Sequence, residues 1–419
     1  MPETFTGPAI VCQAPLPENG WKIQNVSTMA PGPNDLVVEM IAVGICHTDV
    51  LFGTVKPPHP LANYPGIKGH EGSGYVRAIG SDVTVAAVGD PVLLSFTWCE
   101  DCVSCKSGHR SYCDRFPADN FMGHETFTDE NGGKIAGSFF GQSSFAKYSV
   151  VKSNSVVNVK SLGLSEEELK LLAPLGCGIQ TGSGTVVNTA KPGKDDCVAV
   201  LGVGGVGLSA IMGAKILGCR VILGVDIVKS RLELAMELGA THVIDSSDLK
   251  GKTLEETVKE ICDDVGPHGE SSSLAICCIS IKMLTQTVVV DTTGRPELID
   301  AALEFLRPKG QFCQVGSTPM EFNLSIPCFK FMNSGKTYRG VIEGDSYPPE
   351  YVPKMIQWYK EGRFPVDKMV KFFKAEEYEK GLHEMVSSSD SKRYQLLTGI
   401  SIQERRSSLS CCGSAQSHC

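Results

Sequence analysis

The chain has 419 residues, a length that predicts about two domains rather than one. Its hydrophobic content of 42% is typical of a globular protein, and its formal net charge of -8 argues against nucleic acid or an anionic membrane as a main partner. No apolar run is long enough to cross a membrane and no secretory signal is visible, so a cytoplasmic location is expected.

Short β-like runs separated by turn signals occupy the first part of the chain. Residues 37–43 and 74–79 are rich in apolar and β-branched side chains, and Pro31-Gly32-Pro33-Asn34 predicts a turn ahead of them. The segment 1–180 is therefore predicted to be a mostly antiparallel β domain.

Strands alternate with helices from about residue 181 onward. Strands are predicted at residues 197–201, 220–225, 243–245, 288–291 and 310–315, and helices at 208–217 and 229–238. This alternation is typical of a parallel α/β unit. The composition after residue 324 resembles the first part again. We therefore predict an α/β domain (181–324) inserted into a split β-rich domain (1–180 and 325–400), followed by a disordered tail (401–419).

A glycine-rich turn with the pattern G-x-G-x-x-G follows the first of these strands and opens a helix. Glycines let the backbone approach a dinucleotide pyrophosphate, and the helix N-terminus offers free N–H groups to its charge. The residues predicted to face the pyrophosphate are Gly202, Gly204, Gly205, Val206 and Gly207. A glycine-rich turn that binds no ligand is the alternative.

An acidic residue, Asp226, ends the next predicted strand. Its carboxylate can accept hydrogen bonds from the adenosine ribose and would repel a 2′-phosphate, so NAD is favoured over NADP. Arg231 follows within the cofactor-binding region and weakens that preference slightly.

Seventeen cysteines are present, and four of them form one cluster, C-x2-C-x2-C-x7-C: Cys99, Cys102, Cys105 and Cys113. Four thiolates in one loop suit a tetrahedral Zn²⁺ that contributes to folding and leaves no position open for substrate. An iron–sulfur cluster or two disulfides are the alternatives. An iron–sulfur cluster would imply an electron-transfer role that an NAD-linked hydride transfer does not need. Two disulfides would imply an oxidising compartment.

Three further segments carry metal-binding residue types, at Cys46, His70 and Cys177. Taken singly, each residue is as consistent with a core side chain as with a ligand. Together with the glycine turn and the cysteine cluster, in this order, these motifs resemble the zinc-containing medium-chain alcohol dehydrogenases over about residues 8–385. The segments 340–346 and 362–365 are most similar to aryl- or benzyl-alcohol dehydrogenases.

The resemblance implies a GroES-like split catalytic domain with an inserted Rossmann domain, two zinc ions per chain and NAD. Cys46, His70 and Cys177 would bind the catalytic zinc and leave one position for substrate. Asp49 would orient His70, and Glu71 would lie behind the metal. A solvated carboxylate is the alternative for Glu71.

The same resemblance implies that Thr48 takes the alcohol proton into a relay, that His47 approaches the pyrophosphate and that Thr181 lies near the nicotinamide. A surface histidine and a helix-start threonine are the alternatives for the last two. Residues 50–52 are Val, Leu and Phe, so the histidine that ends the relay in some family members is missing here. The relay must end in water, in the ribose hydroxyls or at His47. Four aromatic residues either line the substrate pocket or belong to the core: Phe96, Trp98, Phe139 and Phe140.

A stretch near residues 269–288 interrupts the α/β pattern and is absent from the resembling families. Possible codons for this stretch contain splice-donor and branch sequences, so we favour a retained intron over a surface-loop insertion. The resembling proteins usually end in a Lys-Pro-containing strand, which is missing after about residue 400 of this chain. We therefore interpret the tail as a second error of the gene model. Short introns point to a fungal enzyme of secondary metabolism, such as one of the patulin type.

The predicted function is therefore a zinc-dependent, NAD-linked dehydrogenase of primary aromatic or allylic alcohols and their aldehydes. A homodimer or homotetramer is expected, with a small-molecule alcohol or aldehyde substrate and no nucleic-acid or membrane partner. A non-catalytic dinucleotide-binding scaffold is the alternative, and it would hold about one zinc per chain instead of two.

Overall fold

The computed structural model describes residues 3–264, 287–386 and 394–398. The retained-intron hypothesis and the predicted tail at 401–419 concern residues outside these ranges, except that Thr287 and Val288 begin a strand. No helix in the described ranges combines the length and the apolar character needed to cross a bilayer.

The strands of the described residues are β1 (Thr6–Cys12), β2 (Trp21–Thr28), β3 (Asp35–Ile45), β4 (Gly66–Ile67), β5 (Gly72–Ile79), β6 (Pro91–Leu94), β7 (His124–Thr128), β8 (Lys134–Gly137), β9 (Tyr148–Lys152), β10 (Val156–Asn158), β11 (Cys197–Leu201), β12 (Val221–Asp226), β13 (His242–Asp245), β14 (Thr287–Asp291), β15 (Gln311–Gln314), β16 (Thr337–Gly340), β17 (Val370–Lys374) and β18 (Tyr394–Thr398). The helices are α1 (His47–Thr54), α2 (Val103–Lys106), α3 (Phe116–Phe121), α4 (Glu166–Leu171), α5 (Gly178–Gly184), α6 (Gly205–Leu217), α7 (Lys229–Leu238), α8 (Leu254–Asp264), α9 (Pro296–Phe305), α10 (Cys328–Ser334), α11 (Pro348–Lys360) and α12 (Tyr378–Val386).

The β-rich part consists of a closed barrel and an adjoining sheet. The barrel order is β1-β2-β7-β8-β4, and the sheet order is β10-β6-β5-β3-β18-β17, with β9 also pairing with β3. Most pairs are antiparallel, as the sequence predicts. Because β18 pairs with β3, a late segment of the chain completes a sheet that an early segment began.

The inserted part is a parallel sheet in the order β13-β12-β11-β14-β15-β16. Strands β11, β12 and β14 are buried along their whole length, which fits a parallel sheet covered by helices on both faces. The strand order reverses between β11 and β14, and the crevice at the carboxyl ends of such a pair is where dinucleotides bind in Rossmann folds.

The domain boundary predicted at residue 324 is too early. Strand β16 pairs in parallel with β15, so the Rossmann sheet continues to Gly340. This strand is polar and partly exposed at the sheet edge, so it lacks the apolar run that marks β11 and β14 in the sequence.

One apolar cluster joins the two parts of the molecule. It includes Leu175 and Ile179 near the start of α5, Val200 of β11 and Met355 of α11. The segment that carries Cys177 is therefore held against both domains.

Candidate active site

Cys46 lies at the junction between β3 and α1. Its backbone is extended, and its N–H donates to Oδ2 of Asp49 over 3.0 Å. The other carboxylate oxygen of Asp49 accepts the N–H of Gly69 over 2.9 Å and lies 3.0 Å from Nδ1 of His70. Asp49 therefore ties the segment that carries Cys46 to the segment that carries His70, and its Oδ1 lies within hydrogen-bond distance of the imidazole.

His70 and Glu71 lie between β4 and β5, in a segment that the buried amide of Gln142 holds. Nε2 of Gln142 donates to the carbonyl of His70 over 2.8 Å, and its Oε1 accepts the N–H of Gly72 over 3.1 Å. The ring of Phe140 stacks on the His70 imidazole with the ring centroids 4.4 Å apart. Phe140 has a φ of 52°, an unfavourable backbone conformation for a bulky side chain that the surrounding packing must maintain.

Four side chains form a buried cradle, which we call the catalytic cradle: Cys46, His70, Glu71 and Cys177. One ligand atom from each lies within 4.8 Å of every other. Nε2 of His70 and Oε2 of Glu71 are buried and have no hydrogen-bond partner among the described residues. The two thiols and the imidazole, whose Nε2 is unsatisfied, form a donor set suited to Zn²⁺, and the carboxylate of Glu71 lies beside them.

Electrostatics within the catalytic cradle also suit a cation. Hydrogen bonding with Cys177 holds the pKa of the Cys46 thiol well below its usual value, and the same contact together with burial raises the pKa of Cys177. Burial raises the pKa of the Glu71 carboxyl well above its usual value. A metal ion would favour the deprotonated form of both thiols.

A glycine is required beside Glu71. A Cβ on Gly44 would lie 1.8 Å from Oε2 of Glu71, so any larger residue at this position would displace the carboxylate. Glu71 also accepts the N–H of Gly178, at the start of α5, over 3.2 Å. It is thus a member of the catalytic cradle and not a solvated surface carboxylate.

The sequence alone does not predict a second buried carboxylate, that of Glu343, next to the catalytic cradle. Its Oε1 lies 3.8 Å from Sγ of Cys177, and its Oε2 accepts from Nε2 of Gln180 over 2.9 Å. Burial raises its pKa to about 7. An acidic residue beside a glycine, after the last Rossmann strand, is the only sequence signal for it.

An aromatic cluster packs between the catalytic cradle and the cysteine cluster. Its members are Phe52, Phe96, Trp98, Phe116, Phe121, Phe139, Phe140 and Tyr347. It contacts the His70 ring through Phe139 and Phe140, with ring centroids 5.5 and 4.4 Å away. The four residues for which the sequence left pocket lining or core open are all buried in this cluster.

The cysteine cluster forms a compact tetrad. Sγ of Cys99 lies 4.0 Å from that of Cys105, and Sγ of Cys102 lies 4.0 Å from that of Cys113. Ligand sulfurs of a tetrahedral zinc lie about 3.8 Å apart for Zn–S bonds of about 2.3 Å. A disulfide needs about 2.05 Å. The tetrad geometry therefore suits zinc and not the two-disulfide alternative.

The glycine turn has the backbone that the motif requires. Gly202 has a φ of 80°, and a Cβ on Gly207 would lie 1.9 Å from the carbonyl oxygen of Gly202. Gly204 precedes α6, whose first residues are Gly205 and Val206. The free N–H groups at this helix start therefore face the crevice between β11 and β14.

Asp226 ends β12 beside this turn. Its Oδ2 accepts the N–H of Val203 over 2.9 Å, and Arg231 lies 3.8 Å from the same oxygen. The carboxylate of Asp226 thus lies at the end of β12, as predicted, and Arg231 partly balances its charge.

The three remaining predicted residues lie around the catalytic cradle. His47 is exposed at the first position of α1, and Thr48 is half-buried with Oγ1 3.6 Å from Sγ of Cys46. Thr181 is half-buried in α5, with Oγ1 3.5 Å from Oε2 of Glu343.

Comparisons with known proteins agree with this arrangement. Residues 32–161 match the family model of the alcohol dehydrogenase GroES-like domain, and residues 205–361 match that of the zinc-binding dehydrogenases. The geraniol dehydrogenase of Castellaniella defragrans is 32% identical over 86% of this chain and 90% of its own length. The chain belongs to the zinc-type medium-chain alcohol dehydrogenase family.

Two solved structures are similar to this family member. An alcohol dehydrogenase zinc-binding domain protein from Burkholderia ambifaria has a TM-score of 0.82 at 33% identity, covering 94% of this chain and 99% of its own. The benzyl alcohol dehydrogenase of Acinetobacter calcoaceticus has a TM-score of 0.79 at 31% identity with the same coverage. The predicted fold class is confirmed: a GroES-like domain with a zinc-binding dehydrogenase domain of mixed α/β structure.

Membership of the family confirms the predicted reaction class. This alcohol dehydrogenase is a zinc-dependent, NAD-linked oxidoreductase that interconverts small-molecule alcohols and aldehydes. The non-catalytic scaffold is not supported.

Proposed function

We propose that this chain interconverts primary aromatic or allylic alcohols and their aldehydes, with zinc in the catalytic cradle and NAD on the glycine turn. The observation that carries the proposal is the buried convergence of Cys46, His70 and Cys177, whose ligand atoms lie within 4.8 Å of one another. The unpartnered Nε2 of His70 indicates a missing partner at its centre.

When bound, zinc would supply Lewis-acid activation of the substrate oxygen and NAD would supply the hydride acceptor. The chain supplies position: Cys46, His70 and Cys177 hold the metal, Asp49 orients His70, and Glu71 backs the site. Three protein ligands leave one coordination position for substrate.

Thr48 is the proposed first proton acceptor, because its Oγ1 lies 3.6 Å from Sγ of the proposed zinc ligand Cys46. Residues 50–52 offer no proton-carrying group. His47, the preceding residue, is exposed and leads to solvent, so we propose that the proton leaves through His47, through the ribose hydroxyls or through water directly.

On the cofactor side, we propose that the pyrophosphate binds the turn of Gly202, Gly204, Gly205, Val206 and Gly207. Asp226 would then accept from the ribose hydroxyls, and Thr181 would face the nicotinamide. The carboxylate of Asp226 favours NAD over NADP, and Arg231 reduces the preference.

Two observations support an aromatic or allylic substrate. The aromatic cluster contacts the catalytic cradle at Phe139 and Phe140, which would offer an apolar wall to a planar substituent. Two of the similar proteins are a geraniol and a benzyl alcohol dehydrogenase. A panel of aliphatic, allylic and benzylic alcohols with NAD, read at the NADH absorbance, tests this. A higher kcat/KM for aliphatic alcohols would contradict the proposal.

We propose a second zinc in the tetrad of Cys99, Cys102, Cys105 and Cys113. The sulfur distances of 4.0 Å support it. Metal analysis of the purified protein is expected to give about two zinc per chain, whereas about one would indicate that only one of the two sites is filled.

We propose a homodimer or homotetramer. Among the described strands, β16 lies at the edge of the Rossmann sheet, and the adjacent helix α10 exposes Phe329 and Met332 by 77% and 68%. A free strand edge beside exposed apolar side chains favours pairing with a second copy. Light scattering after size-exclusion chromatography tests this, and a monomer would refute it.

A cytoplasmic location and a role in fungal secondary metabolism remain proposals. Thiolate metal sites favour a reducing compartment. The fungal source rests on the retained-intron hypothesis for residues 269–288. A transcript lacking that stretch would support it, and a tryptic peptide reading through residues 275–281 would refute it.

A further inference from the structure

Glu343 has no part in the metal binding or proton transfer proposed above, yet it is 6% exposed and lies against a proposed zinc ligand. Three consecutive residues, Glu343, Gly344 and Asp345, have positive φ angles of 53°, 64° and 48°. This unfavourable turn directs the Glu343 carboxylate inward, and two side chains of α5, those of Gln180 and Thr181, hold it there.

The turn at Glu343 lies beside α5, the helix that begins just after Cys177 and packs on the glycine turn. A Cβ on Gly182 of α5 would lie 1.9 Å from the carbonyl oxygen of Val206, so α5 packs directly on the glycine turn. Cys177 precedes Gly182 by five residues, which corresponds to about 8 Å along a helix. A Cβ on Gly344 would lie 2.4 Å from the carbonyl oxygen of Gln180, so the Glu343 turn packs on the same stretch of α5.

Glu343 offers a carboxylate at the point where α5 leads from the catalytic cradle toward the glycine turn. Its side-chain partners among the described residues are Gln180, Thr181 and Cys177, and none of them carries a positive charge. A positively charged group that binds beside Glu343 therefore gains a Coulomb attraction that a neutral group lacks.

We propose that Glu343 is a cofactor-facing carboxylate that stabilises the oxidised, positively charged nicotinamide and so favours binding of NAD⁺ relative to NADH. The inference rests on the proposed function, since it needs the cofactor to run from the glycine turn to the catalytic cradle. The two forms of the cofactor differ by one charge at the ring, so the effect of Glu343 is a difference between two affinities.

Three variants separate the effect of the Glu343 charge from the effects of its size and hydrogen bonds. Glu343→Gln keeps the size and removes the charge, Glu343→Ala removes both the charge and the hydrogen bonds, and Glu343→Asp keeps the charge. Asp345→Asn is the matched control, because it removes one charge from the same turn at a side chain that faces His109 instead of the catalytic cradle. Zinc content and thermal unfolding are measured first for each protein.

The readout is a ratio of dissociation constants and not activity. NADH binding is followed by its fluorescence, and NAD⁺ binding by displacement of NADH. We expect Glu343→Gln and Glu343→Ala to raise Kd(NAD⁺)/Kd(NADH) about tenfold or more. Glu343→Asp and Asp345→Asn are expected to stay within about twofold of the unmodified protein. If one of Glu343→Gln and Glu343→Ala does not fold, the other is sufficient to test the inference.

An unchanged ratio in a charge-removing variant, with both affinities altered by the same factor, would overturn the inference and leave Glu343 a structural residue. In that case the unmodified protein still binds both cofactors and oxidises alcohols, so the proposed function stands. Failure of the unmodified protein to bind either cofactor would overturn the proposed function as well.

Discussion

The tetrad and the catalytic cradle use the same thiolate chemistry in opposite structural settings. The tetrad takes all four sulfurs from residues 99–113, and its backbone N–H groups donate to its own sulfurs over 3.3 to 3.4 Å. The catalytic cradle takes its ligand atoms from residues 46, 70–71 and 177, which are distant in the chain and which only tertiary packing brings together. The tetrad is a local structure, and the catalytic cradle is a tertiary one.

The tetrad and the catalytic cradle therefore differ in the interactions that make them rigid. A tetrad without metal loses the ion that its four sulfurs would share, and Cys99 and Cys102 are only partly buried. The catalytic cradle has hydrogen bonds through Asp49 and Gln142 that do not involve a metal. We therefore expect metal loss to destabilise the tetrad loop and to inactivate the catalytic cradle without unfolding it.

The largest expected effect tests the catalytic cradle. Cys46→Ser should lower kcat/KM at least about 1,000-fold, because zinc contributes several kcal/mol of transition-state stabilisation. Zinc content should fall from about two to about one per chain while thermal unfolding changes little. Cys328→Ser, at an exposed cysteine, is the matched control and should change neither quantity. Full activity in Cys46→Ser would contradict the zinc assignment.

The second prediction tests the tetrad. Cys105→Ser should lose the other zinc and destabilise the protein by several kcal/mol, with a fall in Tm of about 5 °C or more. Activity of the folded fraction at low temperature should exceed that of Cys46→Ser by at least about tenfold. If Cys105→Ser lost activity but not stability, the contrast between the two sites would be wrong.

The third prediction tests the support of the catalytic cradle. The two carboxylate oxygens of Asp49 interact with the N–H groups of Cys46 and Gly69 and with Nδ1 of His70. Asp49→Asn replaces one of these oxygens with an NH₂ group, which cannot accept a hydrogen bond. We expect zinc affinity at the catalytic cradle to fall about 10- to 100-fold, as for other orienting partners of metal ligands. Competition with a chromogenic chelator measures it. Asp114→Asn, whose side chain contacts Ser104 in the tetrad loop, should retain both zinc ions.

The smallest expected effect concerns thiol reactivity in the metal-free protein. Hydrogen bonds from the backbone N–H groups of Asp114 and Cys105 lower the pKa of the Cys102 thiol to about 6. Burial and the contact with Cys46 raise the pKa of Cys177. At pH 7 iodoacetamide should therefore label Cys102 about tenfold faster than Cys177. Because the thiolate is the reactive form, the Cys102 rate should fall as the pH drops through about 6. Peptide mass spectrometry distinguishes the two sites.

Much of the fold was predictable from local patterns. The alternation of apolar strand and helix placed β11 and α7 at their observed bounds, and the glycine turn lies where its motif indicated. The boundary at residue 324 was wrong because β16 is a polar edge strand whose place depends on pairing with β15. A pairing between distant strands leaves no periodic signal in a strand this short.

The sequence by itself determined the tetrad, because its four sulfurs are neighbours along the chain and their spacing is already the geometry of a metal loop. It also determined the glycine turn, because the turn is made by consecutive backbone angles. The spacing of Cys46, His70 and Cys177 left open whether they share one site, which the family resemblance implied. The tertiary structure brings their ligand atoms together with that of Glu71 and places Glu343 against Cys177. The physical reason is that burial and charge depend on which distant segments pack together, and no local spacing records that packing.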